Sequence, residues 1–345
     1  MRCPRRSELP PPPAGRTGWP WTEETPPLPA TTPDGKPWPL ISITTPSFNQ
    51  GAYLEESIRS ILLQGYPNLE YYFFDGGSTD GSLDIIKKYE RWFTYCASEH
   101  DHGQAHAINK GLARCSGEVF NWINSDDYLL AGALGNVAAR FHDTDAVAGV
   151  VVNFTEDGGH EPLVQRQLAA KNMISGNPHT QWHQPGVWMR RENVIACGGI
   201  DESYHYSFDW DLTIRYLGLF PRVTYLNDVL LHFRLHPQSK TTSSWERFMQ
   251  ERNQILHTLA TTSPHPSIRM ACSRQVRLIE WSDFVANIRD AHDVPRLPRA
   301  LRLAGAACRD PRTRLTRFTF GAIRRVLFPV VGTPGKPEVD YEPTR

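Results

Sequence analysis

The 345-residue chain has 37 basic and 37 acidic side chains, so its formal net charge is zero. This balance excludes a general electrostatic attraction to nucleic acid, which requires an excess of positive charge. Hydrophobic residues make up 40% and charged residues 21% of the chain, which is typical of a soluble globular protein. The length fits one α/β domain with extensions at both ends.

The cysteines and the N-terminus indicate an intracellular protein. The six cysteines are widely spaced and form no C-x-x-C pair, which disfavours a structural zinc site. The N-terminal residues lack the apolar core of a secretory leader, and no apolar run approaches the ~18 residues of a membrane span. We therefore expect a cytoplasmic protein that does not cross a membrane.

The first 39 residues contain 12 of the 28 prolines. Proline blocks helix interiors and removes hydrogen bonds from sheets, so an irregular lead is predicted over residues 1–39.

From residue 40 onward, short apolar runs alternate with segments of helical periodicity. Helices are predicted at 52–64 and 82–90, and strands at 40–45, 70–74, 93–98, 118–123 and 146–154. Alternation at this spacing predicts an α/β fold with a mostly parallel sheet flanked by helices. Ligands of such sheets bind at the carboxyl ends of the strands. Polar groups follow four of these strands, at 45–49, 75–80, 99–104 and 124–127.

The adjacent carboxylates of Asp126 and Asp127 follow the fourth strand. Two like charges at close range raise each other's pKa unless a cation neutralises them, and Mg²⁺ or Mn²⁺ prefers such oxygen ligands. The alternative is that these side chains cap a helix beginning near Leu129.

Five stretches carry a resemblance to a known family. They are SITTPSFNQGAYLEESIRSILLQGYPNLEYYFFDGGSTDGSLDIIKKY, GQAHAINKGLARCSGEVFNWINSDDYL, HQPGVWMRR, GGIDESYHYSFDWDLTIR and LLHFRLHPQSKT. In this order and spacing they resemble glycosyltransferase family 2, whose nucleotide-binding half has the Rossmann-like GT-A fold. The resemblance implies a catalytic domain over 40–241, divided at residue 130 into nucleotide-binding and acceptor-binding halves. A helical basic extension over 242–328 and an irregular tail over 329–345 would follow.

The resemblance also implies a donor site for a nucleotide-sugar. Its predicted contacts are Pro46, Phe48, Asp75, Gln104, Asn109 and Asp126. The metal, Mn²⁺ or Mg²⁺, would be held by Asp126, Asp127 and His236, and Arg234 and Lys240 lie near enough in sequence to meet the phosphates. A zinc site at His102 and His106 is the alternative for the histidine-rich segment, since their i, i+4 spacing suits a metal.

On the acceptor side, an inverting transfer needs a general base. The family pattern assigns it to Asp209, although Phe208 stands where many members have Glu, and Asp211 therefore stays an alternative. Both carboxylates could instead stabilise the start of a helix. His183, Gln184 and Trp188 are predicted to border the acceptor.

The segment 296–325 contains nine arginines and one acidic residue among apolar residues. Residues 296–328 are therefore predicted either to contact the inner face of a membrane or to pack as a helical hairpin with solvated arginines.

The predicted function is inverting transfer of a sugar from a nucleoside-diphosphate sugar to a hydroxyl of a glycan or lipid-linked acceptor, in cell-surface polysaccharide or glycoconjugate synthesis. Two alternatives stay open at this point. One is a sugar-nucleotide hydrolase or nucleotidyltransferase, and the other is a catalytically silent module that binds nucleotide-sugars or glycans.

Overall fold

The computed structural model describes residues 1–328, except for the side chains of residues 312 and 313, and the predicted tail 329–345 lies outside the described residues. The chain divides into two compact units. The first comprises Met1–Met173 and Pro178–Arg252, and the second comprises Ile174–Asn177 and the chain from Asn253 onward. The first unit thus continues past residue 241, where the catalytic domain was predicted to end.

The first unit is built on one nine-stranded sheet. Its strands are β1 (Ile41–Ser47), β2 (Leu69–Asp75), β3 (Tyr95–Ser98), β4 (Val119–Trp122), β5 (Tyr128–Leu129), β6 (Ala146–Phe154), β7 (His160–Leu163), β8 (Val187–Arg190) and β9 (Val223–Arg234).

The strand order is β3-β2-β1-β4-β8-β6-β9-β5, with β7 paired to β6. Strands β3, β2, β1 and β4 are parallel neighbours, and β6 pairs in parallel with β9. Strand β8 joins the two groups through antiparallel pairing. The predicted α/β fold of the GT-A type is confirmed.

Thirteen helices lie along residues 1–328. They are α1 (Leu54–Leu62), α2 (Ser82–Tyr89), α3 (Gln104–Arg114), α4 (Ala133–Ala138), α5 (Ala170–Ser175), α6 (Arg191–Ala196), α7 (Phe208–Leu219), α8 (Lys240–Ser243), α9 (Trp245–Thr262), α10 (Pro266–Asp290), α11 (Arg296–Arg309), α12 (Pro311–Arg314) and α13 (Arg317–Leu327). The helix expected near Leu129 does not begin there, because Tyr128 and Leu129 form β5 and pair with β9. The alternative role of Asp126 and Asp127 as caps of that helix is therefore wrong.

Apolar strands covered by helices explain the core of the first unit. Every residue of β1 is buried, and α3 packs closely on this strand at Gly111. A Cβ at position 111 would lie 2.1 Å from the Thr44 Oγ1 atom, so only glycine allows this approach. The sheet thereby carries α3 and the loop before it to the edge where β1 ends.

The proline-rich lead is irregular apart from a short 3₁₀ turn at Arg6–Glu8, yet it is part of the first unit. Cys3, Leu9 and Trp38 join the hydrophobic core. The fully buried Arg59 guanidinium donates to the carbonyl oxygens of Pro10, Pro20 and Trp21 at 2.9 to 3.1 Å. These bonds satisfy backbone acceptors that an irregular segment cannot pair within itself.

The second unit is helical, as predicted for the C-terminal extension. A small core of Trp281, Val285, Leu303 and Val326 joins α10, α11 and α13. No helix within residues 1–328 is long and apolar enough to span a membrane.

Candidate active site

A cleft of about 750 Å³ opens in the first unit at the carboxyl ends of the parallel strands. Its walls include Pro46 near the end of β1, Phe48 just after β1, Gly76 after β2, residues of the segment 100–104 after β3, and Asp126 after β4. The four polar strand ends recognised in the sequence therefore meet at one site. Phe48 is 59% exposed, so its ring presents an open face at this edge.

The loop after β1 is fixed to the loop after β2 through Asn49. Asn49 adopts a left-handed φ of 52°, which Asn tolerates better than most residues. Its N–H donates to Ser78 Oγ at 2.7 Å, and its side-chain oxygen accepts from the Thr79 N–H at 2.8 Å. These bonds hold the backbone beside Phe48 in place.

Asp75 organises the loop after β2 from beneath the cleft wall. Its carboxylate accepts from the N–H groups of Gly77 and Ser78 and from the hydroxyls of Ser78 and Ser98. Asp75 is buried and is not among the residues that line the cleft. The structure therefore places it as a support of the loop, although the sequence predicted a direct contact with the nucleotide base.

Asp126 and His236 form a pair at the cleft. Asp126 lines the cavity, and its Oδ2 atom lies 3.2 Å from the Nε2 atom of His236. His236 is buried, and its ring centroid is 5.1 Å from that of Tyr53. The structure thus brings together two of the three residues predicted to bind the metal.

Asp127 is buried and does not line the cleft. Its Oδ1 accepts from the Arg234 N–H at 2.9 Å, and its Oδ2 accepts from the Asn124 side chain at 3.3 Å. Burial and the neighbouring Asp126 charge raise the pKa of Asp127 well above its usual value. Both oxygens of Asp127 are thus hydrogen-bonded within the protein, and Asp127 is not among the residues that line the cleft.

Arg234 is occupied by protein carboxylates. Its buried guanidinium pairs with Glu56 at 2.6 Å and with Glu156, and its Nε donates to the Asp126 carbonyl at 3.0 Å. It is absent from the lining of the cleft. Arg234 therefore holds the segment with Asp126, and of the two cations predicted to meet the phosphates only Lys240 lines the cleft.

Gln104 and Lys240 meet inside the cleft. Lys240 Nζ donates to Gln104 Oε1 at 3.2 Å and to the His205 carbonyl at 3.1 Å. Asn109, the other amide predicted to contact the donor, instead bonds to Ile200 and Glu202 outside the cleft. Asn109 thus joins α3 to the segment before α7.

Asp209 and Asp211 occupy different environments within α7. Asp209 lines the cleft, and burial raises its pKa to about 6. Asp211 is buried outside the cleft, where its Oδ2 accepts from Arg215 at 2.6 and 2.8 Å. The geometry therefore favours Asp209 as the group that meets a substrate.

Glu251 of α9 holds the segment that precedes Asp209. Its carboxylate accepts from the backbone N–H groups of His205, Tyr206 and Ser207 at 2.7 to 2.8 Å. These three N–H groups lie in the segment immediately before α7, where no helix or sheet pairs them. Glu251 thereby fixes where α7 begins and where Asp209 points.

The residues predicted to border the acceptor divide into two groups. His183 and Gln184 line the cleft, whereas Trp188 is fully buried within β8 and does not reach it. His183 Nδ1 is buried without a hydrogen-bond partner among residues 1–328, and burial lowers the pKa of this side chain to about 4. A neutral imidazole can exchange hydrogen bonds with a sugar hydroxyl.

Several cleft residues escaped the sequence interpretation. Trp182 lies beside His183, and Trp245, Phe248 and Arg252 project from α9. The spacing i, i+3, i+7 along WERFMQER places the last three on one helix face. That pattern is visible in the sequence, but it lies beyond the stretches that resemble the family.

The zinc alternative finds no support in the part of the chain that the structure describes. No group of three or more His, Cys, Asp or Glu side chains there could hold a metal ion. The rings of His102 and His106 stack at 4.8 Å, and the His102 N–H donates to His106 Nδ1.

Comparison with known proteins shows which proteins the chain resembles. The profile of the family described as Glycosyl transferase family 2 matches residues 42–199. The glycosyltransferase GlyG of Streptococcus pneumoniae is 32% identical over 219 residues, which cover 56% of this chain and 70% of the relative. A PGL/p-HBAD biosynthesis glycosyltransferase of Mycobacterium bovis is 30% identical over 190 residues, covering 51% and 69% of the two chains.

Two solved structures share the fold. Residues 1–349 of TarS from S. aureus, in complex with UDP-GlcNAc, align with a TM-score of 0.56 at 17% identity over 69% of this chain and 70% of that chain. The mannosyltransferase PcManGT of Pyrobaculum calidifontis, in complex with GDP-Man and Mn²⁺, aligns with a TM-score of 0.52 at 19% identity over 85% and 91% of the two chains.

Proposed function

Because the chain belongs to glycosyltransferase family 2, we propose that its cleft transfers a sugar, with inversion, from a nucleoside-diphosphate sugar to an acceptor hydroxyl. One observation carries the proposal. A single cavity is lined by Asp126, which pairs with the buried His236, and, on a separate helix, by the carboxylate of Asp209. An inverting transfer needs a donor-binding group and a base for the acceptor at one site.

The donor would lie along the carboxyl ends of β1 to β4. The exposed ring of Phe48 and the backbone at Pro46 offer a surface for the base of the nucleotide, with Asp75 holding the adjoining loop. Lys240 and Gln104 are placed to contact the diphosphate, where a positive charge and an amide both favour phosphate oxygens.

The Asp126–His236 pair suits a divalent cation. A carboxylate oxygen and an imidazole nitrogen 3.2 Å apart can share one ion, and the Asp126 side chain keeps 18% of its surface exposed towards incoming ligands. Mn²⁺ or Mg²⁺ held there would neutralise negative charge on the departing diphosphate. Asp127 would hold the loop and add negative charge behind the ion.

Asp209 would then serve as the base of a single displacement. The acceptor oxygen forms a bond to the anomeric carbon as the bond from that carbon to the phosphate oxygen breaks. The acceptor proton passes to the Asp209 carboxylate, and the nucleoside diphosphate leaves with the electron pair. A base with a pKa of about 6 is mostly ionised at neutral pH and is still able to accept a proton.

The acceptor is proposed to be a glycan or a lipid-linked sugar that receives a hexose during polysaccharide or glycoconjugate synthesis. His183 and Trp182 line one wall of the cleft, and Trp245 and Phe248 line another. Aromatic side chains of this kind offer flat apolar surfaces edged by polar groups, as a sugar ring does. The mycobacterial relative is, by its name, a glycosyltransferase of PGL/p-HBAD biosynthesis, which agrees with a biosynthetic role.

We also propose that the second unit contacts an anionic membrane surface. Leu297, Leu301, Phe320 and Phe328 of its C-terminal helices are each at least 60% exposed, although they are large and apolar. Exposed apolar side chains among arginines are typical of helices that lie in a membrane interface.

A product assay tests the proposed function. The full-length protein is incubated with Mn²⁺, UDP- or GDP-sugars and a panel of glycan acceptors. A lengthened acceptor of inverted anomeric configuration is the expected product. Free sugar in its place would establish hydrolysis, and binding of nucleotide without any product would establish a silent module.

A further inference from the structure

The Arg252 side chain lines the cleft without a partner. Its guanidinium makes no hydrogen bond or ion pair with any residue in the range 1–328, and its Nε atom is buried. The guanidinium carbon lies over the Trp210 ring, 5.4 Å from the ring centroid. A guanidinium has five N–H donors, and leaving the buried Nε–H of Arg252 without an acceptor is costly for a fold.

Arg252 lies on the acceptor side of the cleft. It shares a face of α9 with Phe248, whose ring is 5.4 Å from that of Tyr206 and whose carbonyl accepts from Ser207. The segment from Tyr206 to Trp210 carries Asp209, so the arginine faces the proposed base. Lys240, another cation that lines the cleft, is instead bonded to Gln104 on the donor side.

The charges around Arg252 leave its guanidinium open to a ligand. Burial lowers its pKa and the Asp209 charge opposes that shift, but no ion pair joins the two side chains. The neighbouring Glu251 carboxylate is used by three backbone N–H groups. A planar guanidinium in this situation is matched by a carboxylate or a phosphate, which it can bind through two parallel hydrogen bonds.

We propose that Arg252 binds an anionic group of the acceptor, a sugar carboxylate or a phosphate, next to the hydroxyl that Asp209 deprotonates. This inference rests on the proposed function and adds a substrate class to it. The pairing of Arg252 with this anion would also help to keep Asp209 ionised. An acceptor anion near Asp209 would by itself oppose ionisation of the base, and the guanidinium would offset that repulsion.

Matched sugars test the proposal on the full-length protein in the presence of Mn²⁺ and UDP. Glucuronate and glucose 6-phosphate are compared with glucose, and galacturonate with galactose, by ligand-observed NMR titration. A hydrogen-bonded charge should tighten binding at least about tenfold for one of the anionic sugars over its neutral counterpart. The anion that Arg252 binds is identified by which group, the carboxylate or the phosphate, gives the larger gain in affinity over the neutral sugar.

Two variants and a control assign the preference to Arg252. Arg252→Gln should remove the preference for the anionic sugar. Arg252→Lys should keep part of this preference, because lysine retains the positive charge but cannot form the two parallel hydrogen bonds of a guanidinium. Arg140→Gln, an exposed charge loss outside the cleft, should leave it intact.

Equal binding of charged and neutral sugars by the wild-type protein in both series would overturn the inference. It would also be overturned by an unchanged preference in Arg252→Gln, or by an equal loss of UDP affinity in that variant. Binding of UDP or GDP is measured in the same samples. If the wild-type protein binds neither UDP nor GDP, the proposed function is contradicted. If it binds a nucleotide but shows no preference for charged sugars, this inference alone is contradicted.

Discussion

An Asp209→Asn variant tests the proposed base with little change in shape. Asp209 Oδ1 accepts from the Trp210 N–H at 2.7 Å, and an asparagine oxygen can keep that bond. The variant is therefore expected to fold and to bind the donor nucleotide as the wild-type protein does. It loses the group that accepts the acceptor proton.

The expected loss follows from the role of the side chain. A positioned general base contributes about 10²–10⁴-fold to the rate, so kcat should fall by that factor, which corresponds to about 3–5 kcal/mol in activation free energy. The pKa of Asp209 is about 6, raised by burial. Protonation below that pH removes the base, so wild-type kcat/KM should decrease about tenfold per pH unit below pH 6, and the variant should lack this dependence.

The assay measures release of nucleoside diphosphate and lengthening of the acceptor between pH 5 and 8. Asp211→Asn is the matched control, because it breaks the buried pair with Arg215 at 2.6 Å outside the cleft. Breaking such a pair costs about 3 kcal/mol of stability. The control should lower Tm yet keep the pH dependence. Full activity of Asp209→Asn would refute the assignment of the base. The assignment would also be refuted if Asp211→Asn, and not Asp209→Asn, lowered kcat and lost the pH dependence.

Three further predictions concern the support of the site, the fold and the membrane surface. Glu251→Gln should destabilise the protein by about 1–3 kcal/mol and raise the acceptor KM, because one amide oxygen cannot accept all three N–H bonds of the segment before α7. Unfolding experiments measure the stability and steady-state kinetics measure KM. An unchanged KM would contradict the role of Glu251. Gly111→Ala should lower the unfolding free energy by about 1–3 kcal/mol, since its Cβ would overlap Thr44, and an unchanged denaturation midpoint would contradict the close packing. Flotation with anionic liposomes should recover the wild-type protein and lose the double variant Leu301→Ser and Phe320→Ser; equal recovery would exclude the membrane contact at these side chains.

The position of the cleft was predictable from the sequence. Apolar runs followed by polar residues mark strand ends, and the parallel order of β1 to β4 brings those ends to one edge. Asp126 could be selected because it follows a strand at that edge, whereas Asp209, in the first turn of α7, was selected through the family resemblance.

The direction of individual side chains was not predictable in the same way. Asp127 follows Asp126 directly in the turn between β4 and β5, but only Asp126 lines the cleft, because Asp127 is bonded to Arg234 and Asn124. Asn109 lies five residues beyond Gln104 on α3, which rotates it by about 140° to another helix face. Trp188 belongs to a strand with neighbours on both sides, and its side chain packs into the core.

The supporting contacts depend on residues far apart in the chain. Arg234 reaches Glu56, and Glu251 reaches the segment 205–207. No local pattern marks such pairs, because each residue alone looks like an ordinary surface charge. Only the folded structure shows that they hold the carboxylates of the site.

Nucleotide binding as a function of Mn²⁺ tests the central claim most directly. UDP and GDP are titrated calorimetrically into the wild-type protein and into Asp126→Asn and His236→Ala, with and without the ion. One nucleotide should bind the wild-type protein at least about tenfold more tightly with Mn²⁺ than without it. Asp126→Asn and His236→Ala should both lose this gain in affinity. Equal affinity with and without Mn²⁺, or an unchanged gain in both variants, would contradict a cation-dependent donor site at Asp126 and His236.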